Sequence, residues 1–379
     1  MEAQVLVIGA GIAGASLAAE IAAKLAAKQA GDRSVVLLEQ ESQPGYHTTG
    51  RSAALFSKSY GPPAIRALSR ASESFFKAPP SGFCDHPLLA PRGTLIVARA
   101  DQGEELAAVQ EDCADAKLVA LSKAEALARL PLLRSDYVQA ALWEAESYDI
   151  DVNALHQGYL RMLKAKGGRL ICNAEVLGLE RSARAWRVET KAGPIVAESL
   201  VNAAGAWAEV IGEMAGASAI GLQPKRRTAM IVAAPPDCAV AELCMSVDID
   251  EQFYLRPEAG KLLISPADET PSPPCDAQPD ELDIAICVDR IERAYDLQVR
   301  QIERKWAGLR SFVADKAPVV GWDPACPGFF WLAGQGGYGI QTAPALAKLA
   351  ADLVCHGEAA AGQQDHGLDP RCLAPERLA

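Results

Sequence analysis

"VLVIGAGIAGASLAAEIAAK", residues 5–24, joins an apolar run, three glycines spaced G-x-G-x-x-G and an alanine-rich helix with nothing between them. Gly9 permits the tight turn out of the strand, Gly11 lets a pyrophosphate approach the backbone, and Gly14 lets helix and strand pack closely. Ile12 and Ala13 open the helix, whose free N–H groups and partial positive charge suit phosphates. "SVVLLEQ" (34–40) reads as a second buried strand. It ends in Glu39 and Gln40, with the carboxylate of Glu39 where a dinucleotide ribose is held. An acid there disfavours a 2′-phosphate. Strand, glycine turn, helix, strand and terminal acid together predict a Rossmann-like α/β dinucleotide-binding fold.

The rest of the chain narrows the partners. Its 379 residues suit two domains rather than one core. A net charge of −11, with no basic stripe, argues against nucleic acid as a partner. Charges such as Glu20 and Lys24 cut the longest apolar stretches, so no transmembrane segment is expected. Met1-Glu2-Ala3-Gln4 runs straight into a strand, and a cytoplasmic location is expected. The ten cysteines form no C-x-x-C pair and read as reduced packing thiols. Cys84 and His86 resemble half a metal site without a second half, so no metal is expected.

Other glycine-rich stretches choose between dinucleotides. "QPGYHTTGRSAALFS" (43–57) carries Thr48, Thr49, Arg51, Ser52 and Ala53, small and hydroxyl groups able to line a pyrophosphate and a flavin edge. "SLVNAAGAWA" (199–208) is an apolar strand that breaks at Ala204 and Gly205, permitting close backbone approach. "FFWLAGQGGYGIQTAPALAKLAADLV" (329–354) is again strand, glycine loop and helix, with Thr342 as expected N-cap and Pro344 in the first turn. A helix start there would stabilise negative charge on a reduced flavin, an element a nicotinamide enzyme does not need. FAD is the expected cofactor.

Between these stretches the chain expects a helix over 149–168, capped by Asp151, with Val152, Leu155, Tyr159 and Leu163 as its apolar stripe and His156 packed beside them. Two regions look like insertions. Residues 81–145 hold helices capped at Asp101 and Ser122, and 223–306 hold a strand at "KRRTAMIVAA" and a hairpin turning at Pro257-Glu258-Ala259-Gly260. The expected division is an FAD domain over 1–80, 146–222 and 309–379, with a substrate domain over 81–145 and 223–308. Arg310 stands alone in the apolar run "WAGLRSFVADKAP" (306–318), and a guanidinium in such a run needs an anion. An internal acid is one possibility and a bound substrate the other.

Eight motifs carry a family resemblance: "GAGIAGAS", "QPGYHTTGRSAA", "GFCDHPLL", "NALHQGYLR", "VNAAGAW", "GLQPKRR", "WAGLRSFVAD" and "QGGYGIQT". The chain resembles the D-amino-acid oxidase-like (DAO) FAD oxidoreductases nearly end to end, and within them is most similar to the bacterial D-arginine dehydrogenases. The resemblance implies a glutathione-reductase-like FAD domain beside an α+β substrate domain built on an antiparallel sheet. It implies non-covalent FAD, held by the residues above together with Val176, Gly336, Gly337, Tyr338, Gly339, Ile340, Gln341 and Thr342. It assigns the substrate carboxylate to Arg227, Tyr254 and Arg310, and a closing lid to Tyr60. The residues are compatible: Arg227 shares a strand face with Ala229 and Ile231, whereas Arg226 faces away with Thr228.

The departures bear on specificity. Where D-arginine dehydrogenases place a glutamate against the substrate guanidinium this chain has Thr94, and Leu55 falls near a pocket histidine of theirs. A cationic side chain buried without that carboxylate is costly, so neutral or apolar D-amino acids are expected as substrates. The expected reaction is hydride transfer from the α-carbon to flavin N5, then hydrolysis to a 2-oxo acid and ammonia. Oxidation of N-methylated or glycine-type amines, or of 2-hydroxy acids, remains open, as does a flavoprotein subunit of a larger complex. The electron acceptor, oxygen or a quinone, depends on access to the flavin and no motif reads it.

Overall fold

The structure is a computed structural model that describes residues 1–27, 35–182, 184–358 and 367–378. Strand Glu2–Ile8 lies parallel to Val35–Leu38 on one side and to Ile195–Asn202 on the other. The strand expected over 34–40 is thus Val35–Leu38; Ser34 lies outside the described residues. Arg169–Ile171 extends the parallel set, while Trp186–Thr190 and Val176–Arg181 add the antiparallel meander beyond Ile195–Asn202. Phe329–Ala333 pairs with the far half of Ile195–Asn202 and with Val319–Trp322.

Pleating sends alternate side chains of this sheet into two cores. Val5, Val7, Val35 and Leu37 join the core beneath the helices, and Leu6, Ile8, Val36 and Leu38 join the opposite one. Helices Ile12–Ala27, Val152–Ala165 and Gly339–His356 cover the first face. The second of these starts at Asp151, whose side chain accepts from Ala154 N–H at 2.7 Å, as its sequence indicates. His156 is buried in it and donates from Nε2 to the Ala10 carbonyl at 2.9 Å, bracing the glycine turn.

A second eight-stranded sheet runs in the order Ile302–Phe312, Gln223–Val232, Lys261–Ser265, Tyr254–Glu258, Met245–Asp248, Thr94–Ala98, Ala140–Glu144 and Val119–Ser122. All its neighbours are antiparallel except Met245–Asp248 with Thr94–Ala98. Helix Glu281–Ala294 packs its buried Ile284, Cys287 and Ile291 into the core of this sheet. A small sheet of Leu55–Phe56, Tyr148–Ile150 and Leu89–Pro91 lies apart from both. No helix among the described residues is long and apolar enough to cross a membrane.

Three local expectations are corrected. Asp101 does not cap a helix: Gly103–Asp112 starts after Gln102 without a side-chain cap, and Asp101 turns to Arg99 at 3.1 Å. The hairpin turn is only Ala259-Gly260, both at positive φ (49° and 78°), because Pro257 and Glu258 still pair across the ladder. Thr342 is not the N-cap of the last helix. Gly339–His356 starts three residues earlier, Thr342 returns its hydroxyl to the Tyr338 carbonyl at 2.9 Å, and Pro344 lies inside the helix. By contrast Ser122 and Glu125 form the expected capping box.

Gly14 tests how strictly the first turn is packed. A Cβ there would fall 1.9 Å from the Gly9 carbonyl oxygen, and both atoms belong to rigid backbone. Gly14→Ala is expected to destabilise by about 1–3 kcal/mol in chemical denaturation, like other overpacked sites. Gly216→Ala, at a helix C-cap with φ 70° and no neighbour within 4 Å, is expected to cost about 1 kcal/mol or less. Equal midpoints for Gly14→Ala and the parent would contradict this.

Candidate active site

The chain turns that leave the parallel strands, 9–13, 39–49, 203–206 and 335–339, gather at the carboxyl ends of the first sheet. Open α/β sheets bind ligands at that end. Three connected chambers lie there. The first, about 270 Å³, is lined by Gly9, Gly11, Glu39, Gln40, Thr48, Thr49, Val176, Ala204 and Gly205. Gly9, at φ 101°, has no room for a side chain, since a Cβ would meet the Ala203 carbonyl oxygen at 2.5 Å. Thr49 Oγ1 accepts from Ile12 N–H at 3.0 Å, holding the following loop against the helix start. Glu39 is buried and accepts from Ala10 N–H and Glu41 N–H, both at 3.1 Å. Burial lifts its carboxyl above the ordinary range, and those two N–H groups partly offset the lift.

The middle chamber, about 140 Å³, shares Gly11, Thr48, Thr49 and Gly205 with the first and adds Ile12, Ala13, Arg51, Ser52, Ala53, Gly336, Gly337, Gly339 and Ile340. Helix Gly339–His356 begins here with no side-chain cap, so its first N–H groups and positive dipole end remain available. Gln335 Nε2 and Ser311 Oγ are buried on this chamber without a hydrogen-bond partner. Buried polar atoms of this kind call for a ligand or water. A glycine-lined cleft with such donors at its far end fits FAD. Arg51 lines the chamber, but its guanidinium binds the Ala277 and Ala307 carbonyls (3.1 and 2.9 Å) and pairs with Asp276.

The third chamber, about 390 Å³, brings together Leu55, Tyr60, Thr94, Arg227, Tyr254, Arg310, Tyr338 and Gln341. Its clamp follows from register. Arg227 sits opposite Gly308 and Lys225 opposite Arg310, so Arg227 and Arg310 are diagonal neighbours on one face. Such neighbours lie about 7–8 Å apart at the backbone. Tyr254 joins them, buried, while Phe253 points into the core behind. Arg226, on the other face, pairs with Asp283 at 2.7 Å.

The charge on the clamp is unevenly met. Arg227 is 8% exposed; its Nη2 lies 3.3 Å from Glu269 Oε1, and its buried Nε has no partner. Burial, and then the like charge of Arg310, push the Arg227 guanidinium below its usual value. No carboxylate pairs with Arg310 among the described residues. Its Nη1 donates to Tyr60 Oη at 3.0 Å, and Gly337 leaves it space, since a Cβ there would lie 2.7 Å from Nη1. The Tyr60 ring meets Tyr338 edge-on at 4.8 Å. The internal acid that sequence left open for Arg310 does not pair with it among the described residues; Glu251, on the same chamber, acts on it only at longer range.

Leu55 and Thr94 face the same chamber, and the Thr94 hydroxyl is 2.7 Å from Ser147 Oγ. Besides Gln341, three residues named with the cofactor do not line the first two chambers: Gly14 packs the helix, Thr342 is buried within its own, and Tyr338 lines the third chamber instead. Gln341 lies in the third chamber, not the first two; its Oε1 accepts from Ser57 N–H at 3.0 Å, and its Nε2 is buried without a partner. Gln335 and Ser311 were not singled out from sequence although each lies inside a quoted motif, "QGGYGIQT" and "WAGLRSFVAD". A lone polar residue inside an apolar or glycine run was the signal. The described residues contain no cluster fit to hold a metal ion.

The family described as FAD dependent oxidoreductase (DAO) matches residues 4–353. Glycine oxidase of Geobacillus kaustophilus is 27% identical over 244 residues, 63% of this chain and 62% of that protein. Mitochondrial dimethylglycine dehydrogenase of Mus musculus is 27% identical over 248 residues, 60% of this chain and 28% of its own length. The chain thus matches less than two thirds of either relative's length. The crystal structure of L-proline dehydrogenase from P.horikoshii superposes with a TM-score of 0.82 at 22% identity over 97% of each chain, showing the same fold. The family match covers the glycine turn, both sheets and the last helix, and the chambers fit the cofactor; the chain belongs to the DAO family of FAD-dependent oxidoreductases.

Proposed function

We propose that the protein oxidises the bond between the α-carbon and the nitrogen of an amino acid, giving an imino acid that water converts to a 2-oxo acid and ammonia. The observation that carries this reading is Arg310, a permanent cation facing the third chamber that binds a tyrosine hydroxyl and, among the described residues, no carboxylate in an ion pair. A substrate carboxylate supplies the missing anion. Arg310 and Arg227 approach it from adjacent strands, and two guanidinium groups fix orientation as well as position.

Bound FAD supplies a two-electron acceptor for the hydride that leaves the α-carbon. The chain's own residues position the substrate. Tyr60 closes over Arg310, Gly337 gives the guanidinium clearance, and Tyr254 completes the wall. No histidine lines the second or third chamber among the described residues. The amine reacts in its neutral form, having given its ammonium proton to water, because only then can its lone pair expel the hydride.

Beyond the clamp the chamber continues to Leu55, Thr94, Ile96, Met245 and Val247. The carboxylate opposite Thr94 on the ladder, Glu144, is engaged by Ser57, Lys58 N–H and Ser59, and the Thr94 hydroxyl by Ser147, so this wall favours a neutral side chain. The D configuration rests on the resemblance to D-amino-acid enzymes. A second reading, glycine or an N-methylated glycine, draws on the named activities of the two relatives. The apolar side chains that line the chamber beyond the arginines, Leu55, Ile96, Met245 and Val247, suit a substrate side chain and favour the first.

Anaerobic mixing of the flavin-loaded protein with single amino acids tests the substrate. Neutral D-amino acids are expected to bleach the visible flavin band rapidly, with little effect from D-arginine or D-lysine. Comparable turnover of D-arginine and D-leucine would sink the reading of Thr94. Fast bleaching by glycine or sarcosine alone would favour the second substrate class. Arg310→Met is expected to lower kcat/KM by at least about 100-fold, chiefly through KM, as for loss of one partner in a desolvated charge pair. An unchanged KM would remove the clamp from the account.

A further inference from the structure

Tyr60 sits in the segment Ser57–Gly61, which has no strand partner of its own beyond Leu55–Phe56. One buried carboxylate from the second sheet holds it. Glu144 ends the strand Ala140–Glu144 and is 1% exposed. Its Oε2 accepts from Ser57 Oγ at 2.7 Å and Ser59 Oγ at 2.8 Å, and its Oε1 accepts from Lys58 N–H at 2.7 Å. No Lys, Arg or His pairs with Glu144 among the described residues; these three donors are what the buried carboxylate has in place of water. Burial raises its carboxyl pKa, and the same hydrogen bonds oppose the rise.

The mechanism described above does not use this carboxylate. It lies behind the chamber wall, while Ser57 and Ser59 line the chamber itself. Weaker ties finish the segment: Arg66 Nη1 donates to the Gly61 carbonyl at 3.0 Å, and Cys113 Sγ lies 3.4 Å from the Ser59 carbonyl oxygen. Between these anchors Tyr60 projects to Arg310. Three consecutive residues tied to one carboxylate leave the next residue little freedom in where its side chain points.

We infer that Glu144 is a positioning residue: by binding Ser57, Lys58 and Ser59 together it fixes the segment that holds the Tyr60 hydroxyl against Arg310, and so governs how firmly the substrate carboxylate is held. The kinetic part rests on the amino-acid reading proposed above; the structural part does not. Glu144 acts through its hydrogen-bond geometry rather than its charge. A glutamine can keep the arrangement, with Oε1 accepting from Lys58 N–H and Nε2 donating to both serine hydroxyls.

The test uses the full flavin-loaded chain, a neutral D-amino acid and a dye as electron acceptor. Glu144→Ala is expected to raise KM about tenfold with kcat within about twofold, and Glu144→Gln to restore KM to within about twofold of the parent. In a Tyr60→Phe background Glu144→Ala is expected to change KM by less than about twofold, since coupled residues are not additive. Without substrate, amide hydrogen exchange over residues 57–61 is expected to quicken at least about tenfold in Glu144→Ala and not in Glu144→Gln. Should Glu144→Ala fail to fold, the double variant Ser57→Ala with Ser59→Ala removes two of the three donors and is expected to show the same exchange and KM changes. Multiplicative effects of Glu144→Ala and Tyr60→Phe, or unchanged exchange over 57–61, would overturn the inference. If Tyr60→Phe leaves KM unchanged, the substrate reading of Tyr60 fails, and the exchange result alone decides the role of Glu144.

Discussion

Two guanidinium groups share one face of one sheet, and the second sheet is built around the consequence. Pairing of Gln223–Val232 with Ile302–Phe312 sets Arg227 and Arg310 diagonally across a ladder. Like charges at that spacing repel, and burial strengthens the repulsion. Glu269 meets Arg227 only in part, since it is also bound by Lys225 at 2.9 Å. Among the described residues no acid pairs with Arg310, and Glu251 acts on it only from across the chamber. A chain that keeps two such groups without neutralising them gains little stability from them. Their arrangement makes sense as a receptor for an anion carried in by the substrate.

The other parts of the site serve that receptor. The first sheet delivers its turns to one end, so that the glycine-lined cleft runs directly into the chamber of the two arginines. The last helix begins at their junction with Gly337 just before it, where any side chain would strike Arg310. Tyr60 covers the clamp from the small third sheet's side, and Glu144 reaches over from the second sheet to hold it there. Cofactor cleft, clamp and cover thus come from different elements and meet only in the folded chain.

What sequence could reveal divides along that line. The glycine turn, the strand that follows and the helix at Asp151 are local features, and their residues specify them without help from distant parts. Strand alternation correctly separated Arg227 from Arg226, because period two is a local rule too. The solitary Arg310 was legible as a charge in apolar company, although its lack of an internal partner was not. Capping proved less readable. Thr342 and Asp101 have the right chemistry for helix starts, but the chain bends elsewhere, and their side chains found other acceptors or donors. The role of Glu144 leaves no trace in sequence, since its three partners are 85 to 87 residues away. Thr94 and Ser147, 53 residues apart, are the same case. Pairings of that range follow from tertiary structure alone.

The central claim is that the arginine pair exists for a carboxylate. The most direct measurement compares flavin reduction by one neutral amino acid with reduction by the same molecule lacking its carboxylate, the corresponding primary amine, under anaerobic stopped flow. Removing the anion leaves Arg310 without a counter-ion and Arg227 with only its shared Glu269 in a desolvated site. The apparent affinity is therefore expected to fall by at least about 100-fold. Equal affinity and equal rate for acid and amine would contradict the account, for then Arg227 and Arg310 would have no part in substrate binding.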